Sequence, residues 1–331
     1  MPSVDFDNLF KQFAQIKVAV IGDVMLDTYW WGNVDRISPE APVPVVAVSK
    51  KEKRIGGAGN VALNLKSLGA VVTVLSVIGD DDSGKQLITL LQQNDIDTSC
   101  IIKSNTRPTT NKTRIISRNQ QMMRLDEELD TDLQKDEENL LLNAFKKYIL
   151  TEKPAVVIFE DYNKGVLTDN IINAVIDLCK QHNIITTVDP KRKNFFAYKG
   201  VDIFKPNLKE VKEALNIITD ITNLTALKEL HISLQKKLSH HISLITLSEK
   251  GIFFQQNNET DIIATHIRAI ADVSGAGDTV IAVASLVYAA TRQVRLTAEI
   301  ANIAGGLVCE QVGTVAIDRD ELLNECKRLL F

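Results

Sequence analysis

Short apolar, β-branched runs alternate with segments of helical periodicity along most of this chain. KVAVIG (17–22), AVVTVLSVIG (70–79), PAVVIFE (154–160), IITTVD (184–189), VDIFKPN (201–207) and ISLITLS (242–248) read as buried strands. The spacing predicts helices over 57–68, 82–94, 132–150, 168–182, 207–216 and 224–239. Strands and helices in alternation imply an α/β fold with a mostly parallel sheet covered on both faces. No Ser/Gly linker, repeat or low-complexity tract divides the 331 residues, so one domain over 1–331 is the expectation.

Two segments break the rhythm. APVPVVAVSKKEKRIGG (41–57) and TSCIIKSNTRPTTNKTRIISRNQQMMRLD (98–126) look like strands without intervening helices. Segregated strands of this kind form either a small second sheet, over a pocket or at a dimer contact, or a pair of edge hairpins. The pattern alone does not choose. In open α/β sheets ligands bind beyond the C-terminal strand ends. The polar and glycine-rich signals sit there: GDVMLD, EDYNKG, DPKRK, KPNLKE and TLSEKG each follow an apolar run.

Composition narrows the function classes. With 45% hydrophobic and 24% charged residues the chain has ordinary globular make-up. A net charge of -4 gives no global basic field for nucleic acid or an anionic membrane, so neither partner is expected. The first 15 residues lack the apolar core of a signal peptide, and Phe6, Leu9, Phe10 and Phe13 share a helical spacing suited to packing. Cys100, Cys179, Cys309 and Cys326 lie far apart without a C-x-x-C pair, which points to reduced thiols and a cytoplasmic protein. KKEKR (50–54) and KRK (191–193) read as solvated charge.

Three stretches carry candidate chemistry. In DVSGAGDTV (272–280), Gly275, Ala276 and Gly277 precede an apolar helical run. Small residues at a helix start let an anion reach backbone N–H groups that have no intrahelical partner. Asp278, just inside that start, is expected to keep a low pKa and to accept a hydrogen bond from a substrate hydroxyl, as phosphoryl transfer requires. A capped helix start with close packing is the alternative. RIGGAGN (54–60) offers Gly56, Gly57, Gly59 and the amide of Asn60; its spacing is neither a Walker loop nor a dinucleotide fingerprint, and close helix packing explains it equally well. IGDVMLD (21–27) ends the first strand with Asp23 and Asp27, carboxylates suited to polyol hydroxyls or to capping a turn.

Together and in this order, Asp27, GGAGN and DVSGAGD resemble the ribokinase-like (phosphofructokinase B) carbohydrate kinases, over nearly the whole chain. That family implies a three-layer α/β/α sandwich with a mostly parallel central sheet and a small β-sheet lid, here inserted at about 41–49 and 99–125. GDVMLDTYWWGNVDRISPEAPVPVV (22–46), NKTRIISRNQQMMRLD (111–126) and EDYNKG (160–165) are similar to its D-glycero-β-D-manno-heptose-7-phosphate kinases. That likeness implies ATP-dependent phosphorylation of the anomeric hydroxyl to the 1,7-bisphosphate, on the route to ADP-heptose and the lipopolysaccharide core.

The resemblance assigns roles by position. Asp278 becomes the catalytic base, with Gly275, Ala276 and Gly277 around the transferring phosphoryl. Asp27, Gly57 and Asn60 hold sugar hydroxyls; Arg114, Arg118, Arg124 and Lys164 are candidates for the sugar's 7-phosphate. If the strand continued, Arg118 and Arg124 would share a face. A solvated charge, or an ion pair with Asp126 or Glu127, is the alternative for any one arginine. Asn207 and Glu210 match the family's N-x-x-E, which organises Mg²⁺ through water, or else cap a helix. Thr246, Ser248 and Gly251 match the nucleotide loop; Asn302 lies where the family packs the adenine site, or else faces solvent on its helix; Lys191 is a candidate ATP contact, or else solvated charge. Asp272 and Ser274 match positions that hold a monovalent cation such as K⁺ in some relatives, where the family often has Thr for Ser274. The implied partners are a sugar phosphate and ATP, and a second copy of the chain in a homodimer. His182, His231, His240, His241 and His266 show no H-x-G-H spacing of a nucleotidyltransferase, so a kinase without that domain is the expectation. The competing readings are another sugar kinase of the same fold and a catalytically silent sugar- or nucleotide-binding regulator.

Overall fold

The computed structural model describes residues 4–330 apart from 119, 220, 222 and 267. Its strands are β1 (Lys17–Gly22), β2 (Val24–Ile37), β3 (Pro44–Gly57), β4 (Val71–Gly79), β5 (Asp97–Ser104), β6 (Asn111–Ser117) and β7 (Gln120–Glu127), then β8 (Val156–Glu160), β9 (Ile185–Asp189), β10 (Ile203–Phe204), β11 (Ile242–Thr246), β12 (Ile252–Gln256) and β13 (Glu259–Ile263). Nine of them form one sheet in the order β13-β12-β11-β10-β9-β8-β1-β4-β5, in which β12 alone runs against the others.

Both faces of that sheet are buried, as the unbroken apolar runs require. Along β1, Val18 and Val20 pack into one core with helices Ala58–Ser67, Ala276–Thr291 and Val294–Val308. Ala19 and Ile21 point the other way, into a second core with helices Lys135–Glu152, Asp169–Gln181 and Leu224–Leu238. Helix starts carry the expected side-chain caps: Thr168 accepts from the Ile171 N–H and Asn223 from the Ala226 N–H. Gly22, Glu160 and Asp189 stand side by side in register on β1, β8 and β9, which places two acids at one end of the sheet.

A four-stranded sheet, in the order β3-β2-β6-β7, lies apart from the first. Its make-up corrects the expected lid in two ways, and the large sheet differs from expectation in one. Asp97–Ser104 belongs to the large sheet, as the edge strand beside β4. A half-exposed edge strand alternates just as a separate small sheet would, so the pattern did not separate them. Val24–Ile37, of which only the first residues were expected to form a strand-end loop, is a 14-residue strand whose first six residues are all buried and therefore show no alternation. The run expected at 201–207 shrinks to Ile203–Phe204, because Pro206 offers no N–H and the next helix starts at Leu208.

Candidate active site

Helix Ala276–Thr291 begins where Gly275 turns the chain with φ +80°; a Cβ there would stand 2.9 Å from Asn60 Nδ2. The first turn carries Asp278 inward, to 4% exposure. Asn60 Nδ2 donates to Asp278 Oδ2 at 2.7 Å, and the Tyr162 hydroxyl donates to Oδ1 at 2.7 Å. Asn60 is placed by its own helix, which starts after Gly57 at φ +58°, a position where a Cβ would come within 2.3 Å of the Asp23 carbonyl. Asn64 Nδ2 in turn donates to the Asn60 carbonyl at 2.9 Å. The amide expected on sugar hydroxyls therefore points its nitrogen at the candidate base.

Burial pushes the Asp278 carboxyl up to about 6; the hydrogen bonds from Asn60 and Tyr162 pull it down, and the charge of Asp189 adds to the rise. This corrects the low pKa expected from the helix start. Losing water costs the carboxylate more than two donors and the helix terminus return.

Glu160, Asp189 and Asp278, all buried, bring carboxylate oxygens within 4.8 Å of one another. Lys205 Nζ lies 2.9 Å from Asp189 Oδ2 and Lys191 Nζ 3.4 Å from Oδ1. Burial raises the Asp189 pKa, but the two ammonium groups outweigh it and hold the carboxyl below its ordinary value. Glu160 has no hydrogen-bond partner for either oxygen among the described residues, and burial with the charges of Asp189 and Asp278 drives its pKa well up. The surroundings thus push the two carboxyls in opposite directions, Glu160 up and Asp189 down. A Cβ on Gly277 would lie 3.5 Å from Asp189 Oδ2 and 3.7 Å from Lys205 Nζ, so this glycine faces that ion pair.

The loop after β8 is anchored by Asp23, whose carboxylate accepts the N–H groups of Tyr162 (2.8 Å), Lys164 (3.0 Å) and Val166 (3.1 Å). Burial, with Asp161 nearby, raises the Asp23 carboxyl to about 6. Of the two acids in IGDVMLD, Asp23 thus takes the turn-holding role. Asp27, also buried, accepts from Arg114.

The expected arginine cluster does not form as drawn. Arg114 and Arg124 are cross-strand neighbours on β6 and β7. Arg124 is locked to Asp126 by two hydrogen bonds of 2.8 and 2.9 Å. Arg118 lies beyond the end of β6 at φ +50°, is 76% exposed and faces Asp35 at 3.5 Å. The strand does not continue through it, so it shares no face with Arg124. Lys164 Nζ pairs with Glu128 at 2.6 Å.

At the other end, Asn207 and Glu210 close a capping box on each other, at 2.8 Å both ways, and Glu210 Oε1 lies 3.0 Å from Lys191. Each of these oxygens keeps a second lone pair, and hard oxygen donors suit Mg²⁺ through water. Thr246 bridges to Asn207. Ser248 and Gly251 form a tight turn, with Gly251 at φ +101°. Asn302 is buried and donates to the Ala264 carbonyl at 2.9 Å, tying its helix to the segment after β13. Asp272 accepts from Ser274 N–H and hydroxyl and from the Gly313 N–H, which hold its carboxyl below the usual range although burial opposes them. Arg54 Nη1, from β3, donates to the Val312 carbonyl at 3.2 Å, joining the small sheet to this segment. A cleft of about 800 Å³ is lined by Leu208, Ser248 and Lys250; Asp278 is not on its wall.

Sequence reasoning passed over Tyr162, Glu160, Asp189 and Lys205 as site residues. Their common signal was available: each ends a strand or lies within two residues of a strand's end.

The sequence pattern of the pfkB family carbohydrate kinases matches residues 15–320. The bifunctional protein HldE of Sulfurimonas denitrificans is 39% identical over 314 residues, covering 95% of this chain and 65% of that protein. The bifunctional protein HldE of Aliarcobacter butzleri is 41% identical over 305 residues, covering 92% of this chain and 63% of its own. The chain thus spans a little under two thirds of these relatives. Among solved structures, phosphofructokinase-2 from Escherichia coli in complex with potassium superposes with a TM-score of 0.79 at 16% identity, over 96% of this chain and 100% of that one. Arabidopsis thaliana ribokinase complexed with ribose and ATP gives 0.72 at 16% identity, over 93% and 98%. At such identities the two structures establish the fold, a ribokinase-like α/β architecture.

Proposed function

The chain belongs to the pfkB family of carbohydrate kinases, and from that premise we propose that it moves the terminal phosphoryl of ATP onto the anomeric hydroxyl of D-glycero-β-D-manno-heptose 7-phosphate. The product is the 1,7-bisphosphate, on the route to ADP-heptose. The observation that carries the reading is Asp278, buried at a helix start and held on both oxygens by Asn60 and Tyr162.

Two donors fix the carboxylate plane and leave each oxygen a lone pair for the sugar hydroxyl. Asp278 takes the hydroxyl proton as the sugar oxygen bonds to the γ-phosphorus; the bond from phosphorus to the bridging oxygen breaks, and ADP leaves with that electron pair. The N–H groups around Gly275, Ala276 and Gly277 stabilise charge on the transferring group. Lys191 and Lys205, through Asp189, hold positive charge beside Gly277. Mg²⁺ supplies neutralisation of the ATP phosphates, with Asn207 and Glu210 the residues to hold its water shell. Thr246, Ser248, Gly251 and Asn302 line the nucleotide path, and Asp27, Gly57 and Asn60 the sugar. Asp272 and Ser274 are the positions for a monovalent cation, of which K⁺ is the candidate.

The exposed small sheet supports a homodimer. Every residue of β7 is exposed, Met122, Met123 and Leu125 among them, with Val48 on β3. The four cysteines are free thiols, which supports a cytoplasmic location; among the described residues no helix is long and apolar enough to cross a membrane.

The test is ADP release with Mg-ATP and the heptose 7-phosphate, beside ribose, fructose 6-phosphate and unphosphorylated heptose. Turnover mainly with the heptose phosphate supports the reading. Turnover with another sugar keeps the fold and chemistry and replaces the pathway, and ATP binding without turnover favours a regulator.

A further inference from the structure

Lys112 lies on β6, in register with Asp27 of β2 and Asp126 of β7, and two residues from Arg114 on the same face. It is partly buried, and that burial pulls its pKa down. The carboxylates whose field reaches it are Glu128, Asp27 and Asp126. Each is already paired with another cation: Glu128 with Lys164, Asp27 with Arg114, Asp126 with Arg124. Arg107, a second partly buried cation nearby, donates to the Lys164 carbonyl. Among the described residues Lys112 is left with no carboxylate in ion-pair range, its ammonium 5.8 Å from the centre of the Tyr162 ring.

That ring is the measure of the site. Its hydroxyl touches Asp278, so Lys112 stands one tyrosine side chain away from the base. A partly desolvated ammonium without an acid partner is a poor arrangement in an empty protein and a good one beside a dianion, which accepts several charge-assisted hydrogen bonds at once. We propose that Lys112 binds the phosphate at the far end of the acceptor sugar while the hydroxyl to be phosphorylated sits on Asp278. Lys112 thereby selects a phosphorylated sugar over a plain one. The arginines beside it, each tied to a carboxylate, shape the subsite and hold the acids away from the phosphate.

This inference rests on the sugar-kinase reading, and its test separates the two. Steady-state kinetics of wild type, Lys112→Met and Lys112→Arg are compared on heptose 7-phosphate and on unphosphorylated heptose, with Mg-ATP varied in turn. For Lys112→Met the ratio of kcat/KM between the phosphorylated and plain sugar falls about 30-fold, through KM for the phosphate, while KM for Mg-ATP stays within about twofold. Lys112→Arg restores part of the ratio, and thermal melts show both variants folded, since no ion pair is broken. An unchanged ratio, or an equal loss on both sugars, overturns the assignment even if the enzyme is a kinase. A wild type without sugar turnover overturns the kinase reading itself.

Discussion

Asn60 Nδ2 meets Asp278 Oδ2 at 2.7 Å across 218 residues of chain. Two glycine-led helix starts, neither informative alone, are pressed together so that one supplies the donor and the other the acid. Asp278→Asn keeps the shape and removes the base. It is expected to lower kcat by about a thousandfold with Mg-ATP binding retained, measured by ADP release and nucleotide titration.

The pH dependence follows from the same carboxyl. It must be ionised to accept a proton, and burial places it at about 6. Activity is therefore full above neutrality, and kcat/KM falls about tenfold per pH unit once pH drops below about 6. The Tyr162 hydrogen bond holds this pKa down, so Tyr162→Phe moves the acid limb to higher pH. A profile for the variant that overlays the wild type removes Tyr162 from the base's environment.

Asp23 stabilises the loop that carries Tyr162 by accepting three backbone N–H groups. Asp23→Ala leaves those donors without their acceptor and is expected to cost about 3 kcal/mol in urea unfolding. Turnover falls with it, because Tyr162 loses its anchor. Full stability in this variant contradicts the loop-holding role.

A second pH effect concerns stability alone. His240 Nε2 and His231 Nδ1 both meet the Ser243 hydroxyl, at 2.6 and 2.8 Å, in the core beside β10 and β11. Burial, with the neighbouring histidines, lowers His240 to about 3 from an ordinary 6.5. The unfolded chain binds a proton below 6.5 that the folded chain refuses, so stability is present above that pH and declines as pH falls, until about 3. Between pH 6.5 and 5 this amounts to roughly 1 to 2 kcal/mol. Urea unfolding at both values, beside His240→Gln, reads the difference; equal pH slopes in the two proteins rule the histidine out.

The dimer is tested on β7, where Met123 is 56% exposed. Met123→Glu puts a charge into the face assigned to the partner. Sedimentation is expected to show a dimer for wild type and a shift toward monomer for the variant. A wild-type monomer at micromolar concentration disposes of the interface.

Much of the large sheet was legible because its strands are buried on both sides. An unbroken apolar run bounded by turn residues has few other readings, and Lys17–Gly22, Val156–Glu160 and Ile185–Asp189 fall where the pattern puts them. The helix starts at 169, 208 and 224 follow from local capping by Thr168, Asn207 and Asn223. The helix start in DVSGAGDTV, with Gly275, Ala276, Gly277 and Asp278, is also readable, since a helix terminus is a local structure. Tertiary packing decided the rest. Val24–Ile37 became a lid strand and Asp97–Ser104 an edge of the large sheet because strand pairing is a choice between distant segments. The Asp278 carboxyl rose rather than fell because burial, with the charge of Asp189, outweighs the helix terminus and the hydrogen bonds from Asn60 and Tyr162. Arg118 left its expected place because the chain turns there, and Lys112 gained one because three acids around it are claimed by other cations. Periodicity and capping are properties of neighbours in sequence; a carboxyl's pKa and a cation's freedom belong to neighbours in space.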